Sequence, residues 1–366
     1  MRSQGVTRAL LGLALCVPLS AQQFHENEIF IPWNKAGARG LNALLVYADL
    51  PGNRPLVVMT HGTSRKEEER KEVTAWALLP QANWFARRGW TVLAVVRRGF
   101  GKSGGTADFH NRNCRDENFL EAGRQSAEDL SRAIEYGATL PQVDAAHVIA
   151  VGVSTGGFAT VALTAKAPPG LVAAISFAGG RGSHEDFDVC NADGLIGAFR
   201  NFGKNSRIPM LWVYAENDRY FWPALAHQFD EAFRAGGGQD QFVQAPATSA
   251  AGHGLFRRVA EWSAIVDDFL KAQKLVWLPE PLPPPKAPDE PPPQGLSEAG
   301  QRAFQNYLVA GPHKAFAMSE SRFSFYAAQM TAEMARSKAL DNCRHAAPKG
   351  EKCVVVSIDG VSQGEK

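Results

Sequence analysis

The chain has 366 residues, 45% of them hydrophobic and 21% charged, with 39 basic against 37 acidic side chains. That length and composition suit a globular protein with one large domain and a small one. A formal charge of +2 carries no basic field, so nothing in it points to nucleic acid or an anionic membrane surface as a partner.

The chain begins with Arg2 and Arg8, an apolar run at 9–17, and then Pro18, Leu19, Ser20 and Ala21. This pattern predicts a secretory signal peptide over 1–21, too short to span a bilayer. Leu15 occupies the place where a lipoprotein signal needs a small residue, so Cys16 is not read as a lipid anchor. Removing the leader takes two basic residues and no acidic ones, leaving 37 of each. It also leaves four cysteines, Cys114, Cys190, Cys343 and Cys353. An even number in an exported chain, periplasmic or secreted, predicts two disulfides. Three pairings exist; Cys114–Cys190 and Cys343–Cys353 keep each bridge within one expected domain.

After the leader, "NEIFIPW" and "NALLVYADL" read as an antiparallel edge pair. "RPLVVMT" (54–60) reads as a strand. "TAWALLPQANWFARRG" (74–89) reads as a helix that Pro80 must kink or divide. "WTVLAVVRR" (90–98) is a strand and 119–138 an amphipathic helix. "HVIAVGVSTGGFAT" then runs from a β-branched strand into small residues and a helix reaching Lys166. Continuous apolar strands at 171–179 and 208–215 suit a sheet covered on both faces. Helices at 224–236 and 258–273 flank "DQFVQA" (240–245). Such alternation predicts a mainly parallel, doubly covered sheet. Residues 279–293 hold nine prolines and mark a boundary, with an extended spacer or a disordered tether as the expected states. Beyond it come a helix at 297–310, strands in "HKAFAMSE" and "RFSFYAA", a helix running into Cys343, and a strand from Cys353.

Gly152-Val153-Ser154-Thr155-Gly156 fits G-x-S-x-G. The pattern is weak alone in a chain with 34 glycines; its strand-before, helix-after setting raises it. A serine hydroxyl needs a base, and the base an orienting acid. In this architecture the acid and then the histidine follow later strands. Asp218 follows "IPMLWVYA", with Glu216 as the substitute, and His253 follows "DQFVQA" between two glycines. Asp218 would fix the imidazole tautomer, and His253 would take and return the Ser154 proton. Oxyanion donors are expected at the amides of Thr155 and of Thr63 in "THGTS". His61 reads as a prop for that loop rather than the base.

"THGTS", "RRGFGKSGG", "VGVSTGGFA", "LWVYAENDRYF" and "AGHGLF" together resemble the α/β-hydrolase superfamily, nearest its dienelactone-hydrolase-like and serine-aminopeptidase-like branch. The resemblance covers about residues 26–275. It implies an α/β-hydrolase fold, a mainly parallel sheet of about eight strands covered by helices, and a Ser154–Asp218–His253 triad. Dienelactone hydrolases proper use cysteine, and the serine here departs from them, which puts lactone specificity in doubt. The expected division is 1–21, signal peptide; 22–277, catalytic domain; 278–296, Pro-rich linker; 297–366, a small disulfide-bonded α+β domain with no assigned partner.

The expectation is a serine hydrolase of small-molecule esters, or of peptides in the runner-up reading, working without metal or organic cofactor and without stable membrane insertion. A third reading is a non-catalytic binding protein on a hydrolase scaffold. "RRGFGKSGG" lacks the Lys-Ser/Thr ending of a P-loop, so it is read as loop shaping, with Arg98 pairing locally. "RKEEERKE" (65–72) is a solvated helical face, and "HEDFD" (184–188) a polar loop rather than a metal site. Tyr220, Phe221 and Trp222 either line a pocket or pack. Segment 181–207 is too short for a large cap, and a Cys114–Cys190 bridge there would staple the pocket rim.

Overall fold

The computed structural model describes residues 23–107, 114, 117–248 and 251–364; the leader expected at 1–21 lies outside them. The first part of the chain forms β1 (Phe24–Ile31), β2 (Leu41–Ala48), β3 (Arg54–Thr60), α1 (Glu67–Arg70), α2 (Leu79–Ala86), β4 (Thr91–Val95) and α3 (Phe119–Gly137). Next come β5 (Val143–Val153), α4 (Thr155–Thr164), β6 (Leu171–Phe177), β7 (Ser183–Glu185), β8 (Asp188–Val189) and α5 (Ala192–Gly203). Then follow β9 (Met210–Ala215), α6 (Pro223–Ala235), β10 (Asp240–Ala245) and α7 (Val259–Ala272). Eight of the strands make one sheet in the order β1-β2-β4-β3-β5-β6-β9-β10. β1 and β2 run antiparallel at one edge, β2 meets β4 antiparallel, and the other pairings are parallel.

Alternate residues of each strand feed opposite cores. Leu56 and Val58 of β3 join Val148 and Ala150 of β5 on the face packed by α3, α5 and α6 through Leu130, Phe199, Phe202 and Phe229. Val57, Met59, Ile149 and Val151 face the other way, onto Leu79 and Phe85 of α2 and Trp262 and Phe269 of α7. That explains why these strands read as unbroken apolar runs. Pro80 does divide its helix: a 3-10 turn at Ala75–Leu78 precedes α2, with the proline in the first turn, where its missing N–H costs nothing.

Residues 281–293 carry no helix or strand. They do not run free of the larger unit, since Leu282 N–H donates to Arg87 O (2.8 Å) and Arg87 Nε returns a bond to Leu282 O (2.5 Å). Beyond them lie α8 (Glu298–Leu308), β11 (Ala315–Met318), β12 (Phe323–Tyr326), α9 (Ala332–Ala346), β13 (Val354–Ile358) and β14 (Val361–Ser362). Their sheet has the order β12-β11-β13-β14. It has two small apolar clusters, one around Phe304, Tyr307 and Phe316, the other around Ala335, Ala339 and the Cys343–Cys353 bridge. Lys338 pairs with Glu72 (2.7 Å) and Thr74 Oγ1 donates to Ala328 O (2.6 Å) across to the larger unit.

Candidate active site

β5 ends at Val153 and α4 begins at Thr155, so Ser154 alone makes the turn, at φ 57°, ψ −121°. A non-glycine residue there is strained, and the surroundings must hold it. They do so through backbone bonds: Ser154 N–H donates to Phe177 O (2.9 Å), and Ser154 O accepts from Gly180 (3.1 Å) and Phe158 (2.9 Å). The glycines around it are steric necessities. A Cβ on Gly152 would lie 2.1 Å from Gly156 O, and one on Gly156 would lie 2.5 Å from His61 O. Helix α4 can therefore start hard against its own strand and against the end of β3.

Asp218 and His253 sit on the loops after β9 and β10, strands adjacent in the sheet. The structure brings them together: His253 Nδ1 is 3.0 Å from Asp218 Oδ2, with the carboxylate fully buried. The other oxygen, Oδ1, accepts the N–H groups of Tyr220 (2.7 Å) and Phe221 (3.2 Å). Glu216, the substitute, is exposed. Asn217, which sequence reasoning passed over, binds the two loops together. Its amide donates to Thr248 O (3.1 Å) and accepts from Thr248 N–H (3.0 Å). Gly252 packs so close that a Cβ there would lie 2.4 Å from Asp218 N.

Gly180, whose N–H bonds Ser154 O, leads from the serine to Phe221 beside this pair. Phe221 lies against Gly180, where an added Cβ would meet the ring at 2.6 Å, and its centroid is 5.6 Å from that of His253. Among the described residues, Ser154 Oγ and His253 Nε2 form no hydrogen bond with each other or with another group, so this last contact is open in the structure. Such contacts often tighten only when substrate binds.

On the other side of Ser154 stands the loop after β3. A Cβ on Gly62 would come 3.0 Å from Ser154 Cβ, and Thr63 Oγ1 is 2.8 Å from Thr155 Oγ1. The two residues expected to supply oxyanion amides thus touch. Thr155 N–H opens a helix, where no carbonyl of the helix can take it. His61 is buried beneath them. Its Nδ1 is 2.6 Å from Gly62 O and its Nε2 accepts the Arg97 N–H (3.0 Å), which fixes a neutral tautomer. Burial, and then the charge of Arg97, hold its pKa well below the usual histidine value. Both ring nitrogens are committed, which fits the loop-prop reading.

Tyr220 stacks flat on His253, with centroids 4.0 Å apart and planes 6° apart. The Arg65 guanidinium covers the ring at 3.4 Å from its centroid. Arg65 is itself held by Asp186 (3.0 Å), Ser183 Oγ (2.8 Å) and Glu185 O (2.7 Å) of the β7–β8 hairpin. The hairpin ends at Cys190, which is bridged to Cys114. Phe221 is buried packing and Trp222 is half-buried, 6.1 Å from Phe187. Arg98 does pair locally, with Glu128 (2.9 Å) and Asp129 (2.8 Å). Two donor groups lie by the hairpin: Cys114, His184 and Cys190, and His184, Glu185 and Asp188. The sulfurs of the first are joined to each other, and the second is three exposed side chains.

Residues 51–203 match the family described as X-Pro dipeptidyl-peptidase (S15 family). The sheet order and the strand–serine–helix turn are those of an α/β-hydrolase fold. No curated protein matches this chain in sequence. It is similar in structure to esterase 2 of Thermogutta terrifontis, at 17% identity and a TM-score of 0.48, over 69% of this chain and 96% of that one. It is also similar to an esterase from Pyrococcus furiosus (17%, TM-score 0.45, 69% and 93%). A third likeness is to an acylaminoacyl peptidase from Pyrococcus horikoshii (16%, TM-score 0.48, 72% and 43%). Likenesses of that depth carry neither an activity nor a substrate over to this chain.

Proposed function

We propose that this hydrolase is a serine hydrolase in which Ser154, His253 and Asp218 form the triad and the Thr63 and Thr155 amides form the oxyanion hole. The observation that carries the reading is a strained serine elbow at the same C-terminal end of the parallel strands as a histidine whose Nδ1 rests on a buried carboxylate. His253 Nε2 takes the hydroxyl proton as Ser154 Oγ attacks the carbonyl carbon. The carbonyl electron pair moves onto the oxygen held by the two amides. As the tetrahedral species collapses, the leaving group departs with the proton from His253. Water, deprotonated by the same imidazole, then releases the acid and frees Ser154.

An ester of small to medium size is the first choice of substrate. A peptidase reading is supported by the family match over 51–203. A fluorophosphonate probe tests the nucleophile: it should label the chain and fail on Ser154→Ala. A correctly folded wild type that takes no label would refute the triad and favour a binding protein on this scaffold. Turnover of p-nitrophenyl acetate against aminoacyl and X-Pro nitroanilides separates esterase from peptidase. We also propose that the chain is exported, with the catalytic unit at 22–277 and a separate module at 297–366. The two cysteine bridges and the sequence pattern of 1–21 support export.

A further inference from the structure

We infer that Arg97 is a positioning residue for the oxyanion side of this site, a buried guanidinium that clamps the loop after β3 to the serine elbow and sets a positive charge beneath both. The inference deepens the serine-hydrolase reading and rests on it. Arg97 lies two residues past the end of β4 and is 1% exposed. Its Nη2 donates to Thr155 Oγ1 (2.8 Å) and reaches Thr63 Oγ1 (3.4 Å). Its Nη1 donates to Thr60 Oγ1 (3.1 Å) and to His61 O. Its backbone N–H ends on His61 Nε2 (3.0 Å). One planar fork therefore bonds the last residue of β3, two positions of the loop after it and the first residue after Ser154.

Packing alone does not ask for this side chain. A methionine would fill similar space without the desolvation cost that a buried cation carries. A lysine would bring the charge but not the flat fork that spans two loops. What the fork does achieve is to fix the spacing between the Thr63 and Thr155 amides, since their hydroxyls are bonded to each other and to the same guanidinium. The charge matters at a different moment. The substrate carbonyl is neutral, whereas its oxygen becomes anionic in the tetrahedral species. A fixed cation in a poorly solvated place, one layer behind the amides that would hold that oxygen, favours the second state over the first. The effect belongs in kcat rather than in substrate binding.

The experiment compares full-length wild type, Arg97→Gln, Arg97→Lys and Thr155→Val after titration of active sites with a fluorophosphonate. It reads kcat and KM on p-nitrophenyl acetate and the affinity of phenylboronic acid, which binds a serine as a tetrahedral anion. Loss of a preorganised charge one layer behind the donors should lower kcat of R97Q by about 10- to 100-fold, with KM within about threefold and boronate affinity falling in step with kcat. R97K should recover part of the loss. If R97Q does not melt as a folded protein, Thr155→Val decides. It keeps the Thr155 N–H and removes only the oxygen under Nη2, and it should lower kcat by about three- to tenfold with boronate affinity in parallel. A folded R97Q with kcat within twofold of wild type overturns the inference, as does a kcat loss with boronate affinity unchanged, or an unaffected T155V when R97Q is unfolded. A wild type that takes no fluorophosphonate overturns the serine-hydrolase reading instead, before any variant is compared.

Discussion

Replacing Asp218 by asparagine is a test whose outcome can be worked out atom by atom. Asp218 Oδ1 is held by two backbone donors, Tyr220 N–H and Phe221 N–H, at 2.7 and 3.2 Å. An asparagine must keep its oxygen in that place, because turning it would set an NH2 against two N–H groups. The amide nitrogen then falls where Oδ2 now meets His253 Nδ1 at 3.0 Å. The ring answers by losing the proton on Nδ1 and carrying it on Nε2, so that Nδ1 can accept. An Nε2–H cannot receive the Ser154 proton. The imidazolium formed in the transition state also loses its counter-charge. The expected fall in kcat is about 10³- to 10⁴-fold, or roughly 4 to 5.5 kcal/mol. Shape and hydrogen-bond count are kept, so the melting temperature should move by only a few degrees. Stopped-flow or steady-state ester hydrolysis, with fluorophosphonate labelling rates alongside, measures it. Glu216→Gln, on an exposed side chain, is the control that should stay near wild type. An Asp218→Asn enzyme with more than a tenth of wild-type activity would refute the assignment of Asp218 and the tautomer argument together.

Gly62→Ala puts a Cβ 3.0 Å from Ser154 Cβ and 3.3 Å from Val153 O, so the loop and the serine elbow must move apart by a few tenths of an ångström; ester turnover should drop at least about tenfold while calorimetry shows little loss of stability. Opening the Cys114–Cys190 bridge, which closes a separation of 76 residues, should cost about 4 kcal/mol on the loop-entropy view and release the hairpin that steadies Arg65 and Tyr220. A Cys114→Ser, Cys190→Ser double variant should therefore melt lower and turn over more slowly, and unchanged behaviour in both would count against the staple. Asp240 has a fully buried side chain beside Asp230 and Arg234, and burial, then repulsion from Asp230, push its pKa up to about 7. The folded chain thus holds this proton more tightly than the unfolded chain, whose value is near 3.8, so the stability it contributes is complete below that value and drains away as pH rises through about 7. Asp240→Asn should flatten the melting-temperature profile over that window, and a profile unchanged in shape would sink the assignment.

The large sheet was legible because its order depends on local signals. β3 and β10 appear in the structure with the bounds read from "RPLVVMT" and "DQFVQA", and the break at Pro80 falls where the ring forbids a continuing helix. Helix α5 does not stand out in the sequence. Its apolar positions, Leu195, Phe199 and Phe202, do follow helical spacing, but Gly194, Gly197 and Gly203 dilute the signal. The glycines are partly enforced by packing: a Cβ on Gly203 would lie 2.1 Å from Phe233 O in α6. "WTVLAVVRR" was read too long for a related reason. The ladder stops at Val95, and the next residues turn inward because Arg97 is taken by the loop after β3 rather than by a neighbouring strand.

The candidate site divides along the same line. A serine between glycines, an acid after one strand and a histidine after the next can be read in order, since each lies just past a β-run that marks itself. What holds them is different in kind. Arg65 reaches a hairpin about 120 residues away and lies over Tyr220, which covers His253. Asn217 ties two loops across 31 residues, and Arg97 bridges to Thr155 across 58. No periodicity or spacing encodes such pairs, because each is decided by where two strands land in the sheet and not by either stretch alone. The atoms proposed to react sit at the ends of predictable strands, while the side chains that set their angles come from loops whose meeting is a consequence of the finished fold. Arg97 is therefore where a test of this structure is most demanding. Nothing in the local sequence singles it out, and its place in the site comes from geometry alone.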